Sequence, residues 1–532
     1  MKTAPTFSER LQAFFEQVNE HRFAFERIIM CGIDLICGNE NIKAQIIVGN
    51  CFLLGITYLL YAFHSTERLP LRYFVPVSIL IFSLLFYENA YWGIASIQNT
   101  SLVFFALLAA FGISQQTKKG NLIGLCSAIT ISFISGSGMS VWIIGGLMLA
   151  FQKRFRFLSI WFVTAACIIS FYFLYDYEFI PKDRAALFQH PFRNLLFFLG
   201  FIGNIFYEDH FHIAYKPYYF DTTVCVLFGA ILLLISVIWF FITVKYKPTH
   251  WTYWFLSGSI LFFMATGAML VLARPVDLSL LHGGNLFSRR YVIFATVLVA
   301  CVYLAVLRML IHYNLFLLKG FVFTSVGIAI GLNFSSYFLY LSKVRSMSEQ
   351  LSLDGYYIAH DQMLCSFGEK YKERLFWNHP TAFPYLVRDL TKEGVFVFPP
   401  FPYEKQLANP TLNSSLNARS WPVQTSVIQN YEMNMSRADR NKITLHVPTS
   451  VSGKPIYFAL INNDHKFVLP VMQETNSVSQ MLLTGNYYTN TYYSHFWKTK
   501  FPPGKYQLWY FWQPANGEVQ LISASKNVIL SR

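Results

Sequence analysis

Residues 45–63, QIIVGNCFLLGITYLLYAF, and residues 224–244, VCVLFGAILLLISVIWFFITV, contain no charged side chain. Each stretch is about as long as the roughly 20 residues that a helix needs to cross the hydrocarbon of a bilayer. Similar stretches follow one another, so the pattern predicts a polytopic α-helical membrane protein with about 10 or 11 membrane segments. The candidate segments are 45–63, 72–87, 101–115, 121–134, 139–152, 157–175, 193–206, 222–244, 253–273, 291–311 and 321–341.

The charge distribution favours the same class of protein. Of the 532 residues, 54% are hydrophobic and only 13% are charged, whereas soluble domains contain about 25% charged residues. The formal net charge is +14, but many basic residues lie in short connections beside apolar segments, such as Lys118, Lys119 and Lys245. Basic residues in such positions are typical of cytoplasmic loops. We therefore expect membrane lipid, and no nucleic acid, as a partner.

The same connections predict how the chain is oriented. When they are placed in the cytoplasm, the opposite side receives residues 1–44, 88–100, 176–221 and 274–290, and everything after residue 342. This arrangement requires that one segment, most simply 193–206, does not cross the bilayer completely.

Changes in composition divide the chain into four parts. Residues 1–44 form an amphipathic interfacial segment, 45–341 the multi-spanning transmembrane domain, 342–417 a helical extracytoplasmic region and 418–532 a β-sandwich of the immunoglobulin-like type. The β-sandwich is predicted from seven short runs with the character of strands, at 442–447, 455–461, 466–471, 481–483, 506–512, 518–522 and 526–530.

The first cluster of candidate functional residues precedes the first apolar segment. His21 and Arg22 follow Glu20 directly, and Glu20, Arg27 and Asp34 are seven residues apart, which would place these three on one face of a helix. A guanidinium between two carboxylates can orient a phosphate and offer a general base. The alternative is a solvated interfacial helix whose charges pair with one another and with lipid head groups.

A second cluster lies in a predicted outer loop that contains no Lys or Arg. It consists of Tyr87, Glu88 and Asn89, with Trp92, Gln98 and Asn99. A single carboxylate beside aromatic side chains is typical of a site that holds a sugar, because aromatic faces stack on sugar rings. The alternative is an aromatic belt at the membrane interface.

Two further clusters have the residue types for binding a metal or an anion. Glu208, Asp209, His210 and His212 supply carboxylates and imidazoles, the usual donors for Zn²⁺ or Mn²⁺, so a divalent metal is a candidate cofactor. A solvated loop is the alternative, because the i, i+4 histidine pair of helical zinc sites is missing. The basic cluster comprises Arg274, His282, Arg289 and Arg290. We expect it to bind an anionic substrate or, alternatively, to snorkel to lipid phosphates.

Several of these motifs occur in the order found in a known family. They are Asn19-Glu20-His21-Arg22 before a long apolar helix, Glu88 with Asn89 and Trp92, the turn Ser135-Gly136-Ser137-Gly138, and Ser288-Arg289-Arg290-Tyr291 at the start of a late helix. On these motifs the chain resembles the bacterial polytopic C-type (GT-C-like) integral membrane glycosyltransferases over residues 15–311. Family members begin with a membrane helix whose exit carries an acidic pair. Here we expect one of three cases: Glu20 or Asp34 takes the place of that acid, the start has been lost, or the protein is no longer a transferase.

The resemblance implies a multi-pass protein of the bacterial inner membrane with an extracytoplasmic C-terminal domain. Its activity would be transfer of a sugar from a polyprenyl-phosphate donor, at the outer face, to an envelope glycan or protein acceptor. Glu20 or Asp34 would act as the base and Glu88 would orient the sugar. The substrate-binding residues would be His21, Arg22, Arg274, Arg289 and Arg290. The alternative is a non-catalytic membrane scaffold that displays the β-sandwich to a cell-envelope or surface assembly.

Overall fold

The computed structural model describes residues 6–179, 190–207, 219–246, 250–273, 287–313, 315–359, 401–408, 423–428, 440–497 and 501–530. The chain divides into two compact units, Met1–Tyr337 and Phe338–Arg532.

The first unit is built from helices, apart from one two-stranded hairpin. The hairpin strands are β1, Gln17–Val18, and β2, His21–Arg22. The helices in chain order are α1 Phe7–Phe15, α2 Ala24–Cys37, α3 Ile42–Thr66, α4 Val75–Ile81, α5 Tyr87–Tyr91, α6 Gly93–Ser114, α7 Lys118–Ser132, α8 Ser140–Phe151, α9 Phe155–Leu174, α10 Pro191–Ile202, α11 Tyr219–Tyr246, α12 Trp251–Ala273, α13 Val292–Tyr313 and α14 Leu315–Ala359. Helix α14 continues past Tyr337 into the second unit.

Seven helical segments in the described ranges are long and apolar enough to cross a bilayer. Their burial differs: 78% of the apolar window of Arg289–Ile311 is buried within the protein, against 28% for Thr222–Tyr246. Arg289–Ile311 is therefore central in the bundle, and Thr222–Tyr246 is peripheral. The seven segments are Ile42–Thr66, Gly93–Ser114, Phe155–Leu174, Thr222–Tyr246, Trp251–Ala273, Arg289–Ile311 and Phe316–Met347.

The predicted segment 193–206 corresponds to the short helix α10 and a following 3₁₀ turn, Asn204–Phe206. At 1.5 Å per residue, the 12 residues of α10 are too few to cross the hydrocarbon untilted. Its length is in keeping with the expectation that this segment does not cross completely.

The predicted segment 72–87 is not one helix but two, interrupted at Phe82 and Ser83. Helix α14 satisfies the backbone groups that the interruption frees. Asn333 Nδ2 donates to the carbonyl of Ile79 over 2.9 Å, and the amide of Leu84 donates to Ser336 Oγ over 3.1 Å. An interruption among apolar helices needs such partners, because an unpaired backbone group is costly there. The interruption places Glu88 on the short helix α5.

The expectation that Glu20, Arg27 and Asp34 share one helical face is wrong. Glu20 lies in the turn between β1 and β2, and α2 begins only at Ala24. Asn19 has a positive φ of 54°, a left-handed conformation that Asn tolerates well and that reverses the chain here. Only Arg27 and Asp34 are on the same helix.

In the second unit, the described strands form two antiparallel sheets of four strands each, in the orders β10-β9-β5-β6 and β3-β4-β8-β7. Both sheets contribute to one hydrophobic core, with Leu445 from the second sheet and Leu460 and Phe511 from the first. The predicted C-terminal β region is therefore confirmed. The strands are β3 Val423–Ile428, β4 Arg440–His446, β5 Lys454–Ile461, β6 Lys466–Pro470, β7 Met472–Thr475, β8 Tyr488–Trp497, β9 Gly504–Gln513 and β10 Gln520–Leu530.

Three of the predicted strand runs need correction. Residues 481–483 belong to a helix, Val478–Thr484. The runs 518–522 and 526–530 fall on one strand, β10, which begins at Gln520 and has an irregularity between Ser523 and Lys526. Of the predicted helical region 342–417, the structure describes the end of α14 and a short helix, Glu404–Ala408, and residues 360–400 lie outside the described ranges. In chain order these two short helices are α15, Glu404–Ala408, and α16, Val478–Thr484.

Candidate functional site

Glu88 lies on α5 and is bonded to the segment that precedes α13. Its Oε2 accepts the hydroxyl of Ser288 at 2.7 Å and the amide of Arg290 at 3.1 Å. The residue is 8% exposed, so these two donors hold the carboxylate in place. Its Oε1 makes no hydrogen bond to any residue that the structure describes.

Asn89, next along α5, holds the same segment from its carbonyl side. Its Nδ2 donates to the carbonyl of Arg290 over 2.6 Å, and its Oδ1 accepts Nδ2 of Asn99 at 2.9 Å. Both amide side chains are buried. Glu88 and Asn89 therefore fix the peptide groups on either side of Arg290.

The side chain of Arg290 stacks against two aromatic rings. Its guanidinium carbon lies 5.5 Å from the ring centre of Trp92 and 5.0 Å from that of Tyr291, within the range of a cation–π contact. The residue is partly exposed, and among the described residues its guanidinium has no ion pair or hydrogen bond. Trp92 is itself 40% exposed. An arginine fixed in this way can receive the oxygens of a phosphate.

Arg289 has different surroundings from Arg290. It is 2% exposed, its Nη2 donates to the carbonyl of Tyr207, and its guanidinium carbon lies 5.6 Å from the Tyr207 ring centre. This contact attaches residue 207, after α10, to the segment before α13. The geometry favours a structural role for Arg289 over contact with a substrate.

The hairpin that carries Glu20, His21 and Arg22 docks against the turn 135–138. Nδ1 of His21 accepts the amide of Gly136 at 3.1 Å, so this ring nitrogen carries no proton in the contact. The carbonyl of Glu20 accepts the hydroxyl of Tyr172 at 3.2 Å and that of Tyr177 at 3.4 Å. These contacts bring the first predicted cluster to the turn between α7 and α8.

Arg22 anchors the hairpin from inside. It is fully buried, and its three guanidinium nitrogens donate to the carbonyls of Phe15, Tyr172 and Tyr175. These bonds occupy the guanidinium with main-chain oxygens. We therefore leave Arg22 out of the set of residues for which we propose substrate contact.

Two adjacent residues of α6 connect the hairpin region with the Glu88 region. Gln98 Nε2 donates to the carbonyl of Ile134 over 3.3 Å, directly before the turn that His21 contacts. Asn99 donates to Asn89, which in turn holds Arg290. Both regions therefore lie at the same end of the bundle, next to the first two turns of α6. Gln98 and Asn99 both belong to the second predicted cluster, but they lie on the helix α6 and not in a loop.

Sequence reasoning also missed Glu26. This residue lies in the first turn of α2, is 1% exposed, and its carboxylate oxygens make no hydrogen bond of normal geometry to any described residue. Burial raises the pKa of the carboxyl well above its usual value of 4.5, and the neighbouring charge of Arg27 only partly opposes this effect. Glu26 is thus a buried acid close to the docked hairpin.

The remaining predicted site residues do not join this arrangement in the described ranges. Asp34 lies on α2, partly exposed, and its carbonyl accepts the amide of Gly38 at 2.8 Å. Among the described residues, no three His, Cys, Asp or Glu side chains are grouped for a metal. The predicted metal ligands Glu208, Asp209, His210 and His212, and also Arg274 and His282, lie outside the described residues. No family model, curated protein or solved structure matches the chain.

Proposed function

We propose that the chain is a multi-pass membrane enzyme that transfers a sugar from a polyprenyl-phosphate carrier to an acceptor at the outer face of a bacterial inner membrane. Seven apolar helical segments of sufficient length support the membrane location. In this proposal the two sheets of the second unit form a β-sandwich on the extracytoplasmic side, where an envelope glycan or protein is the acceptor.

The observation that carries the proposal is the state of Arg290. Its peptide groups are held by Glu88 and Asn89, the residue is partly exposed, and its guanidinium stacks on Trp92 and Tyr291. A cation that is already fixed loses little freedom when it binds an anion, and it can stabilise negative charge that develops on a leaving group. We assign Arg290 to the phosphate of the donor, which becomes the leaving group of the transfer.

The neighbours of Arg290 suit the rest of a sugar phosphate. Trp92 offers an exposed aromatic face, and the carboxylate of Glu88 keeps Oε1 free of described partners, so that it can accept a sugar hydroxyl. We assign the sugar-orienting role to Glu88. The base that takes the proton of the acceptor hydroxyl is Glu20 or Asp34, as the family resemblance implies. Glu20 is favoured by the docking of its hairpin at the same end of the bundle.

The test is a transfer assay with the purified chain in liposomes that contain polyprenyl-phosphate-linked sugars. We expect Arg290→Ala to lower the rate on the order of 10²-fold or more, and Arg290→Lys to recover only part of it, because lysine lacks the planar fork. Arg72→Ala is the matched control: Arg72 is exposed and stacks on Tyr73 at 5.5 Å, ahead of α4 and away from this cluster.

Two results would count against the proposal. A folded Arg290→Ala protein with full transfer activity would exclude Arg290 from the reaction. A wild-type protein that transfers no sugar from any polyprenyl-phosphate donor, but whose second unit binds an envelope component, would favour the non-catalytic scaffold instead.

A further inference from the structure

Helix α16 projects from the second unit as an excursion between β7 and β8, and none of its residues is buried. Its apolar side chains face outward: Val478 is 42% exposed, Leu482 71% and Leu483 85%. Val478 and Leu482 are four residues apart, on the same face of the helix. A soluble domain gains nothing by exposing an apolar helix in this way, so the face calls for a covering partner.

The excursion is a well-formed element with a closed base. Ser477 caps the helix start by accepting the amide of Gln480 at 3.3 Å, and Gly485, with φ of 72°, ends it by donating to the carbonyl of Met481 over 2.8 Å. Asn476 closes the base, because its side chain donates to the carbonyls of Asn486 and Tyr488. The exposed leucines are therefore held in place by a defined helix.

The base of the excursion is attached to the part of α14 that belongs to the same unit, after residue 337. The hydroxyl of Tyr487, two residues after Gly485, donates to the carbonyl of Phe338 over 2.6 Å, and the two rings are 5.7 Å apart, edge to face. Phe338 belongs to the segment Phe316–Met347, which is long and apolar enough to cross a bilayer. The excursion therefore starts beside the last turns of a candidate membrane helix.

The charges around the excursion are those expected of a segment at the bilayer surface. No Asp, Glu, Lys or Arg occurs between Thr475 and Trp497. The basic residues Lys343 and Arg345 lie near the end of the apolar segment, and the guanidinium of Arg345 stacks on Tyr488 at 5.4 Å. Tyrosines and basic side chains at a helix end are typical of the lipid head-group region, with apolar side chains deeper in the bilayer.

We propose that α16 inserts Val478, Leu482 and Leu483 into the bilayer surface where α14 emerges, and so acts as a lipid-binding helix of the C-terminal unit. The proposed occupant is lipid, and not a second protein, because the helix continues from a base that is joined to a candidate membrane span. This inference rests on the proposed membrane location of the chain, and it adds a second contact with the bilayer.

The test uses the full chain in liposomes of phosphatidylethanolamine and phosphatidylglycerol with a small fraction of phospholipid that carries a diazirine in its acyl chain. After illumination, lipid adducts are mapped by mass spectrometry. We expect adducts on residues 478–484 and on α14 around Phe323, which is 83% exposed, and none at Ile529, which is 71% exposed on β10 of the same unit.

A double variant sharpens the test. Leu482→Glu with Leu483→Glu should lower the adduct yield on α16 at least tenfold and leave the yield on α14 unchanged. It should also leave the thermal unfolding temperature unchanged, because neither leucine is in a core. Ile529→Glu is the matched control and should change neither yield.

The two proposals fail in different ways. Adducts on α14 without adducts on α16, or equal labelling of α16 in the double variant, would overturn the proposal that α16 binds lipid. Neither result would contradict the membrane location. Absence of adducts from all the apolar helices would overturn the membrane location, and the proposed function with it.

Discussion

The amide of Arg290 donates a hydrogen bond to Oε2 of Glu88 over 3.1 Å, although the two residues are 202 positions apart. Ser288 donates to the same oxygen. One buried carboxylate thus fixes the start of α13 on α5 and aims the Arg290 side chain. This double role makes stability and activity separable by experiment.

We expect Glu88→Ala to lower the free energy of unfolding by about 1–3 kcal/mol, because it leaves the buried donors of Ser288 and Arg290 without an acceptor. Glu88→Gln keeps an oxygen for both donors and should cost less than about 1 kcal/mol. If the carboxylate orients the sugar, Glu88→Gln should still lose sugar transfer. Unfolding in detergent and the liposome assay measure the two effects.

The exposed Glu518→Gln is the control for Glu88 and should change neither measurement. Wild-type stability in Glu88→Ala would contradict the structural role. Full transfer by a stable Glu88→Gln protein would contradict the orienting role.

The long helices could be predicted closely from the sequence. The apolar run 253–273 is the helix Trp251–Ala273, and 291–311 is nearly the segment Arg289–Ile311. Membrane-length hydropathy is a local property, so a window of about 20 residues contains the whole signal.

The site could be predicted only in part, because its geometry depends on distant contacts. Arg22 is held by carbonyls of Tyr172 and Tyr175, about 150 residues away, and these contacts favour a hairpin where local spacing favoured a helix. The wrong strand at 481–483 had a local warning, since Ser477 and Gly485 are a typical N-cap and C-terminal glycine of a short helix.

Buried Glu26 predicts a pH-dependent stability. Its folded-state pKa is raised by burial, so the unfolded chain releases this proton more readily than the folded protein. The contribution of Glu26 to the free energy of unfolding should therefore be most favourable below its unfolded-state pKa of about 4.5. It should fall as the pH rises from there through the raised folded-state pKa. Glu26→Leu should remove this contribution, so that its advantage over the wild type grows as the pH rises above about 4.5 and levels off above the folded-state pKa.

Unfolding in detergent at several pH values measures this difference, with Glu518→Gln as a control whose stability follows the wild type at each pH. The relevant neighbours are Arg27, whose charge lowers the pKa of Glu26, and Tyr172, whose hydroxyl lies close enough to interact with the Glu26 charge. A difference between Glu26→Leu and wild type that does not change with pH would rule out this account.

The ion pair between Glu67 and Arg308 predicts strong coupling between the end of α3 and α13. Arg308 Nη1 lies 2.7 Å from Glu67 Oε2, and the side chain of Glu67 is 6% exposed and that of Arg308 14%. Thr252 donates to the other carboxylate oxygen over 2.9 Å. Glu67→Leu should cost about 3–5 kcal/mol, because it takes the carboxylate partner away from the buried charge of Arg308. Arg308→Met should cost less, because Glu67 keeps Thr252 and, at 3.8 Å, His250. The double variant Glu67→Leu with Arg308→Met should be close to wild type.

A double-mutant cycle on the free energy of unfolding tests this coupling. The more exposed pair Arg345 and Glu349, 3.4 Å apart, is the comparison and should give less than about 1 kcal/mol. Additive losses for Glu67 and Arg308 would show that the two charges do not stabilise each other.

The contact between α10 and α11 depends on two glycines. A methyl group at Gly229 would overlap the carbonyl oxygen of Leu199, and one at Gly203 would overlap that of Cys225. The two backbones thus touch directly, as small residues allow in helix packing. Gly229→Ala must push α10 away and should lower the free energy of unfolding by about 1–3 kcal/mol.

Gly327→Ala, on α14 with no atom within 4 Å of the new methyl, should instead raise the free energy of unfolding by up to about 1 kcal/mol, because alanine is more favourable than glycine in a helix interior. Equal effects of the two substitutions in detergent unfolding would mean that α10 does not pack against α11 in this way.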